Sequence, residues 1–248
     1  MNDTTFAGRS ALVIGGSRGI GAAIALRLAA GGADVALTYR ETENDAEKIA
    51  STITETGRRC LPLRADSASP DALIAAVDRT AAEFGRLDIL VNNAAAYLVG
   101  SLDDLGREEI DHVLAVNVRA PYLASRAAAR HMTSGGRIIT IGSNIAERAP
   151  FPGLTLYALS KTALIGLTKG LARDLGPRGI TANLVHPGPT DTDTNPANGP
   201  AAPTISGLTA LGRYATPAEI AAVVAHLAAP DTTYVTGATL SADGGFAA

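Results

Sequence analysis

The chain has 248 residues, 46% hydrophobic, with 21 Lys and Arg against 24 Asp and Glu for a formal net charge of −3. That length accommodates one α/β domain or two small ones with a large core, and the absence of a basic block argues against a nucleic-acid polymer as partner. The single Cys60 excludes an internal disulfide, no apolar run approaches the roughly 18 residues of a membrane span, and M-N-D-T-T-F-A-G-R-S lacks a signal-peptide layout, so the chain reads as soluble and cytoplasmic.

In chain order, Ser10–Ile14 is a continuous apolar run and reads as a first strand. The turn G-G-S-R-G-I-G, Gly15 to Gly21, follows it and opens a helix over Ile20–Ala30. Strands are expected at Val35–Tyr39 and Arg59–Leu63, and the charged run Glu41–Lys48 between them reads as the solvated start of a helix. Helices over Asp71–Phe84, Arg107–Met132 and Thr155–Asp174 alternate with strands at Leu87–Asn92, Arg137–Ile141 and Thr181–Val185. The stretch from His186 to Pro203 is too rich in Pro, Gly, Asn and Asp for a regular element. It reads either as a mobile lid over a site or as a plain surface loop. A helix over Pro217–Ala228 and a strand at Thr239–Ser241 complete the chain. Short apolar runs alternating with amphipathic segments predict an α/β fold, a seven-stranded parallel sheet with helices on both faces. No internal repeat or long linker divides it.

The glycine turn sits between a buried strand and a helix, where Gly15, Gly19 and Gly21 let backbone N–H groups approach a pyrophosphate at the helix N-terminus. Its spacing is G-x-x-x-G-x-G rather than the G-x-G-x-x-G of many dinucleotide folds. NAD-selective sites place an acid about 20 residues further on, to bond the ribose 2′-hydroxyl. Here that neighbourhood reads L-T-Y-R-E, so Tyr39 and Arg40 stand where the acid is expected, and Arg18 lies inside the turn. Two guanidiniums suit a 2′-phosphate, which favours NADP(H). Glu41 could serve as the acid if the register slipped by two residues. Asp66 either caps a helix or accepts from the adenine amine, and the amides of Asn92 and Asn93 either tie strand ends together or line the adenosine pocket.

In Y-A-L-S-K, Tyr157 and Lys161 stand four residues apart and share one helix face. A phenol has an unperturbed pKa of about 10. A neighbouring ammonium favours the phenolate, and the pair then suits protonation of a carbonyl oxygen or deprotonation of an alcohol.

The ordered set G-G-S-R-G-I-G, Asp66, N-N-A, Asn117 in V-N-V, Ser143, Tyr157, Lys161 and Pro187–Gly188 makes the chain resemble a short-chain dehydrogenase/reductase along essentially its whole length. Each element is weak alone, but their order and spacing are specific. The resemblance implies a single Rossmann-like domain over 1–248, usually a homotetramer, that moves a hydride between a nicotinamide and a carbonyl/alcohol pair. It makes Tyr157 the acid/base and Lys161 the group that lowers its pKa and holds the nicotinamide ribose. Ser143 would bond the substrate oxygen, and Asn117 would help hold a relay water. It assigns cofactor contacts to Gly15, Ser17, Arg18, Gly19, Ile20, Gly21, Tyr39, Arg40, Asp66, Ser67, Asn92, Ala94, Tyr157, Lys161, Pro187, Gly188, Thr190 and Thr192. Motif content is near the acyl-carrier-protein ketoreductases, although small free carbonyls suit the chain equally. The stretch G-P-T-D-T-D-T-N-P-A-N-G-P also resembles that of a bacterial member described as binding cyclic-di-GMP, which offers a regulatory alternative.

Two positions depart from the family pattern. Ile14 stands where a Thr usually supports the glycine turn, and Ala95 replaces the Gly of N-N-A-G. The four histidines, His112, His131, His186 and His226, show no metal-ligand spacing and read as packing or surface.

Overall fold

Seven parallel strands form one sheet in the order β3-β2-β1-β4-β5-β6-β7 in the computed structural model, which describes residues 5–248. Residues 1–4, the start of the N-terminal stretch M-N-D-T-T-F-A-G-R-S, lie outside the described residues. The strands are β1 Ser10–Ile14, β2 Asp34–Tyr39, β3 Cys60–Arg64, β4 Ile89–Asn92, β5 Arg137–Ile141, β6 Thr181–Pro187 and β7 Thr239–Ala242. β1 and β5 are buried at every position, and burial on both faces is why A-L-V-I in β1 reads as an unbroken apolar run rather than an alternating one. The third strand lies one residue later than Arg59–Leu63, the fourth begins at Ile89 rather than Leu87, and the sixth runs on through His186 to Pro187 instead of ending at Val185.

Alternate strand residues feed two cores, one on each face. Val13, Val35, Leu37 and Ile139 pack beneath α1 (Gly19–Ala30), α2 (Glu43–Glu55) and α8 (Pro217–Ala228). Leu12, Ile14, Leu90 and Ile138 pack beneath α3 (Pro70–Phe84), a helix over Ala120–His131 and the end of another over Thr155–Leu175. Burying a Leu or Ile side chain contributes about 1.5–3 kcal/mol. α3 is delimited as its sequence dictates. The Ser69 hydroxyl accepts from Ala72 N, Pro70 opens the helix, and Gly85 closes it at φ 73°. Cys60 begins the edge strand β3, half-buried, and burial pushes its thiol up to about 11.

The helix expected over Arg107–Met132 is not continuous. α4 (Arg107–Leu114) passes into a π turn at Ala115–Arg119 before α5 (Ala120–His131) resumes. Pro121 supplies a reason. It has no N–H for the carbonyl four residues earlier, that of Asn117, and its ring crowds that carbonyl. α6 spans Thr155–Leu175, and the 186–203 stretch ends in a short helix, α7 (Ala202–Ser206). Strand order reverses between β1 and β4, the switch point where open α/β sheets place their crevice. Among the described residues no helix is long and apolar enough to cross a membrane, and no His/Cys/Asp/Glu group could hold a metal.

Candidate active site

The glycine turn closes on itself so tightly that side chains are excluded. A Cβ on Gly21 would stand 2.0 Å from the Gly15 carbonyl oxygen, and one on Gly16 would stand 2.7 Å from Leu37 Cβ. Gly15 and Gly19 have φ of 75° and 53°, a region that L side chains rarely adopt. Two neighbours brace the turn. Thr38 Oγ1 accepts from Gly15 N at 2.9 Å, and Asn93 Nδ2 donates to Gly15 O at 2.7 Å. Thr38 thus supplies from β2 the hydroxyl that Ile14 cannot.

Around this turn lie groups suited to a phosphorylated ribose. Ser17 and Thr42 share a 2.7 Å hydroxyl–hydroxyl hydrogen bond. Arg18 is exposed and has no ion-pair or side-chain hydrogen-bond partner among the described residues. Arg40 is also exposed, 3.0 Å from Glu41, so Glu41 partners the guanidinium. Tyr39 is buried and donates to Glu43 at 3.1 Å. The Asp66 carboxylate accepts from Ala68 N through one oxygen, at 2.8 Å, in a local turn beside Ser67. Thr192, in the 186–203 stretch, reaches back over the turn, where a Cβ on Gly19 would meet its methyl at 3.2 Å. Exposed backbone at a helix N-terminus with flanking guanidiniums fits a dinucleotide that bears an extra phosphate.

Asn92 is placed differently from the other candidates. Its buried amide donates to Ser125 Oγ at 3.1 Å and Thr140 Oγ1 at 3.4 Å, tying β4 to its neighbours. Ala94 N donates to Ile14 O at 2.8 Å, and the Ala94 backbone lies 2.9 Å from where a Gly15 Cβ would stand. At the end of β6, Gly188 N donates to Ala242 O at 3.0 Å, and a Cβ there would come within 2.6 Å of Asp243 Cα. Pro187 therefore delivers the chain close against the turn after β7. Thr190 is buried and donates to Gly188 O at 3.0 Å.

The four residues expected to be catalytic converge. Ser143 follows β5, with its hydroxyl accepting from Ile145 N at 3.2 Å. Tyr157 and Lys161 project from α6, and Lys161 Nζ lies 5.8 Å from the Tyr157 ring centroid while donating to Ile141 O at 3.0 Å. Asn117, on the π turn, is clamped to Ala96: its Nδ2 donates to Ala96 O at 2.8 Å and its Oδ1 accepts from Ala96 N at 2.7 Å. The same amide donates to Ser160 Oγ at 3.0 Å, and Ser160 donates to Tyr157 O at 2.8 Å, which links the π turn to α6.

Electrostatics depart from the simple expectation. Burial pushes the Tyr157 phenol up to about 12; hydrogen bonding with Ser143 pulls it down, and Tyr97 adds to the rise. Burial also lowers the Lys161 ammonium to about 8. The lysine by itself is expected to bring the phenol down. Here desolvation dominates, and Nζ serves the Ile141 carbonyl rather than the phenol.

Two residues that matter here carry no usable sequence signal. His186, fully buried on β6, is not loose packing: its Nδ1 hydrogen-bonds the Ser143 carbonyl, while Nε2 has no partner among the described residues. Burial lowers its pKa, with the Ser143 carbonyl acting in the other direction. Tyr97 stands edge-on to Tyr157, with ring centroids 4.8 Å apart and planes at 86°.

This crevice, with a bare glycine turn on one side and a hydroxyl pair backed by lysine on the other, is that of a nucleotide-dependent oxidoreductase, and the chain belongs to the short-chain dehydrogenase/reductase family. A family model described as enoyl-(acyl carrier protein) reductase matches residues 14–247. A short-chain dehydrogenase from Burkholderia cenocepacia, solved with NADP, superposes with a TM-score of 0.97 at 54% identity, covering 98% of this chain and 100% of that one. The cyclic-di-GMP-binding biofilm dispersal mediator protein of Escherichia coli is 47% identical over 98% of this chain and 99% of its own length. BdcA solved with NADPH, also 47% identical, matches with a TM-score of 0.91 over 98% of this chain and 96% of that one.

Proposed function

We propose that the protein is an NADP(H)-dependent reductase of ketones or aldehydes, able to run in reverse on the matching alcohols, with Tyr157 as acid/base. The observation that carries this reading is the convergence of Ser143, Tyr157, Lys161 and Asn117 at the carboxyl ends of β4 and β5, beside the glycine turn. When bound, the reduced nicotinamide supplies a hydride to the carbonyl carbon. Ser143 and Tyr157 then face the carbonyl oxygen on which negative charge develops, and donors aimed there stabilise the transition state more than the ground state. Tyr157 gives its proton to that oxygen. A phenol near 12 is protonated at neutral pH, which is the form that reduction uses. Lys161 and Asn117 orient the Tyr157 segment from below and through Ser160. Arg18 and Arg40 take the 2′-phosphate, consistent with the NADP and NADPH held by the neighbours at 54% and 47% identity.

Subunit assembly belongs to the same reading. A groove of about 870 Å³ between α4–α5 and α6 is lined by Leu114, Val118, Tyr122, Leu167, Gly166 and Gly170, and neither glycine has a neighbour near its absent side chain. A second copy packed there would form a dimer, and a further contact between two such dimers would complete the homotetramer.

One observation favours a second reading, a cyclic-dinucleotide-binding regulator. Arg64 donates to the Arg40 carbonyl at 3.3 Å, so a third guanidinium lies beside Arg40, and the 47% identical Escherichia coli relative is named for cyclic-di-GMP binding. NADPH oxidation over a panel of ketones, aldehydes and an enoyl thioester, run alongside calorimetry with cyclic-di-GMP, separates the readings. Carbonyl-dependent turnover with Tyr157→Phe lowering kcat at least about 10²-fold and leaving NADPH affinity near wild type is expected. An unchanged kcat in that variant removes the acid/base role. Tight cyclic-di-GMP binding without turnover on any carbonyl moves the reading to the regulator.

A further inference from the structure

The crevice wall beyond Tyr157 carries its own chemistry, and a substrate class drawn from that wall rests on the reductase reading of the site. Tyr97 is 61% exposed although its ring packs edge-on to that of Tyr157. A large aromatic left open beside the acid/base is a surface that substrate can cover. Its segment, residues 94–101, reads A-A-A-Y-L-V-G-S and contains no charge.

That segment is held against the one that precedes α6. Gly100 N donates to Gly153 O at 3.1 Å, and a Cβ on Gly153, which has φ 84°, would meet Val99 Cγ1 at 3.1 Å. Val99 and Phe151 are 48% and 42% exposed on these two segments. The wall therefore presents aromatic and branched apolar groups from two loops pinned together.

Charge points the same way. Residues 144–154 contain Glu147 and Arg148 as their only ionisable groups. Arg148 is engaged elsewhere, donating to Phe246 O at 2.8 Å with its guanidinium 5.5 Å over the Phe246 ring. Lys161 serves Ile141 O at the back of the site. Neither segment thus offers a free cation for a carboxylate or phosphate on the substrate.

We infer that Tyr97 is a specificity-determining residue and that the site takes neutral ketones, or the matching alcohols, carrying an aryl or similarly flat apolar group. With the carbonyl oxygen at Tyr157, that group covers the exposed Tyr97 ring in the offset or edge-on arrangements aromatic pairs prefer. A substrate bearing a carboxylate beside the carbonyl loses its hydration there and gains no partner.

Acetophenone, butanone and benzoylformate, reduced with NADPH by wild type and by Tyr97→Ala and Tyr97→Phe, test this. Wild type is expected to prefer acetophenone over benzoylformate by at least about tenfold in kcat/KM. Tyr97→Ala should lower kcat/KM for acetophenone about tenfold and for butanone less than about twofold, with Tyr97→Phe close to wild type. Equal losses on acetophenone and butanone overturn the assignment and make Tyr97 a support for Tyr157 only. A preference for benzoylformate overturns the substrate class. Calorimetry of 1-phenylethanol binding to the NADP⁺-loaded Tyr157→Phe variant, with and without Tyr97→Ala, reads the wall without turnover. A loss of affinity on adding Tyr97→Ala supports the inference even if no tested ketone is reduced, whereas identical affinities sink it. Absence of wild-type turnover on every carbonyl counts against the reductase reading alone.

Discussion

The glycine turn and the loop wall around Tyr97 border the same crevice and are built on opposite principles. At the turn, function is carried by what is missing. A Cβ on Gly21 would come 2.0 Å from a carbonyl oxygen, and the bracing groups Thr38 and Asn93 address backbone atoms. At the wall, function is carried by side chains, with Tyr97, Val99 and Phe151 each more than 40% exposed on irregular segments. Backbone-defined sites tolerate almost no substitution, because a clash against backbone cannot relax. Side-chain walls tolerate exchange at small cost to stability and change what is bound, which is how one scaffold comes to serve many substrates.

The sharpest way to break that contrast is Gly21→Ala. Its methyl meets Gly15 O and Asn93 Nδ2, at 2.0 and 2.5 Å from the unshifted Cβ position, so the turn must open. A loss of NADPH affinity of at least about 10²-fold, equivalent to roughly 2.7 kcal/mol, is expected by calorimetry. Affinity within threefold of wild type would show that the turn is softer than its geometry implies.

Lys161→Met should remove activity and yet raise stability, separating catalysis from folding at one position. The ammonium is buried and lowered from 10.5 to about 8, so the folded state resists its charge. Below pH 8 both states carry the proton and the full cost is present. Between about 8 and 10.5 the unfolded chain binds more protons than the folded one, so wild-type stability rises with pH. Denaturant titrations should find the variant more stable by roughly 1–3 kcal/mol at pH 7, with the gap narrowing toward pH 10. A gap independent of pH would show that folding leaves the Lys161 pKa at its ordinary value.

Arg40→Asp is the gentlest of the three. It replaces an exposed guanidinium that pairs with Glu41 at the surface, so folding should hardly change. The ratio of kcat/KM for NADPH to that for NADH should fall about tenfold or more. A ratio that does not move would place the 2′-phosphate elsewhere.

Legibility in the sequence follows the same division. β1, the glycine turn and the Tyr157–Lys161 spacing can be read because burial on both faces, positive φ and helical periodicity each leave a local pattern. The roles of Thr38 and His186 cannot, since each acts on a backbone atom more than twenty residues away in sequence, across neighbouring strands. The π turn at Asn117 has a local cue in Pro121, but the long amphipathic pattern around it outweighs that cue and reads as one unbroken helix. Asn92 stands open between two roles, and only the positions of Ser125 and Thr140 give its amide a destination. Tyr97 can be placed near the site but not on it, because loop conformation decides which ring meets which.

Cys60 has a practical corollary. It is the sole thiol in the chain, on the outermost strand and at the end of the sheet opposite the carboxyl-end crevice. Burial keeps it protonated, near 11, and therefore slow toward alkylating reagents while the edge strand stays paired. Modification is slow from the paired strand and quickens where β3 loosens from β2, so a time course of thiol capture reports on that border. A dye fixed there would watch the molecule from afar, leaving the chemistry of the crevice undisturbed.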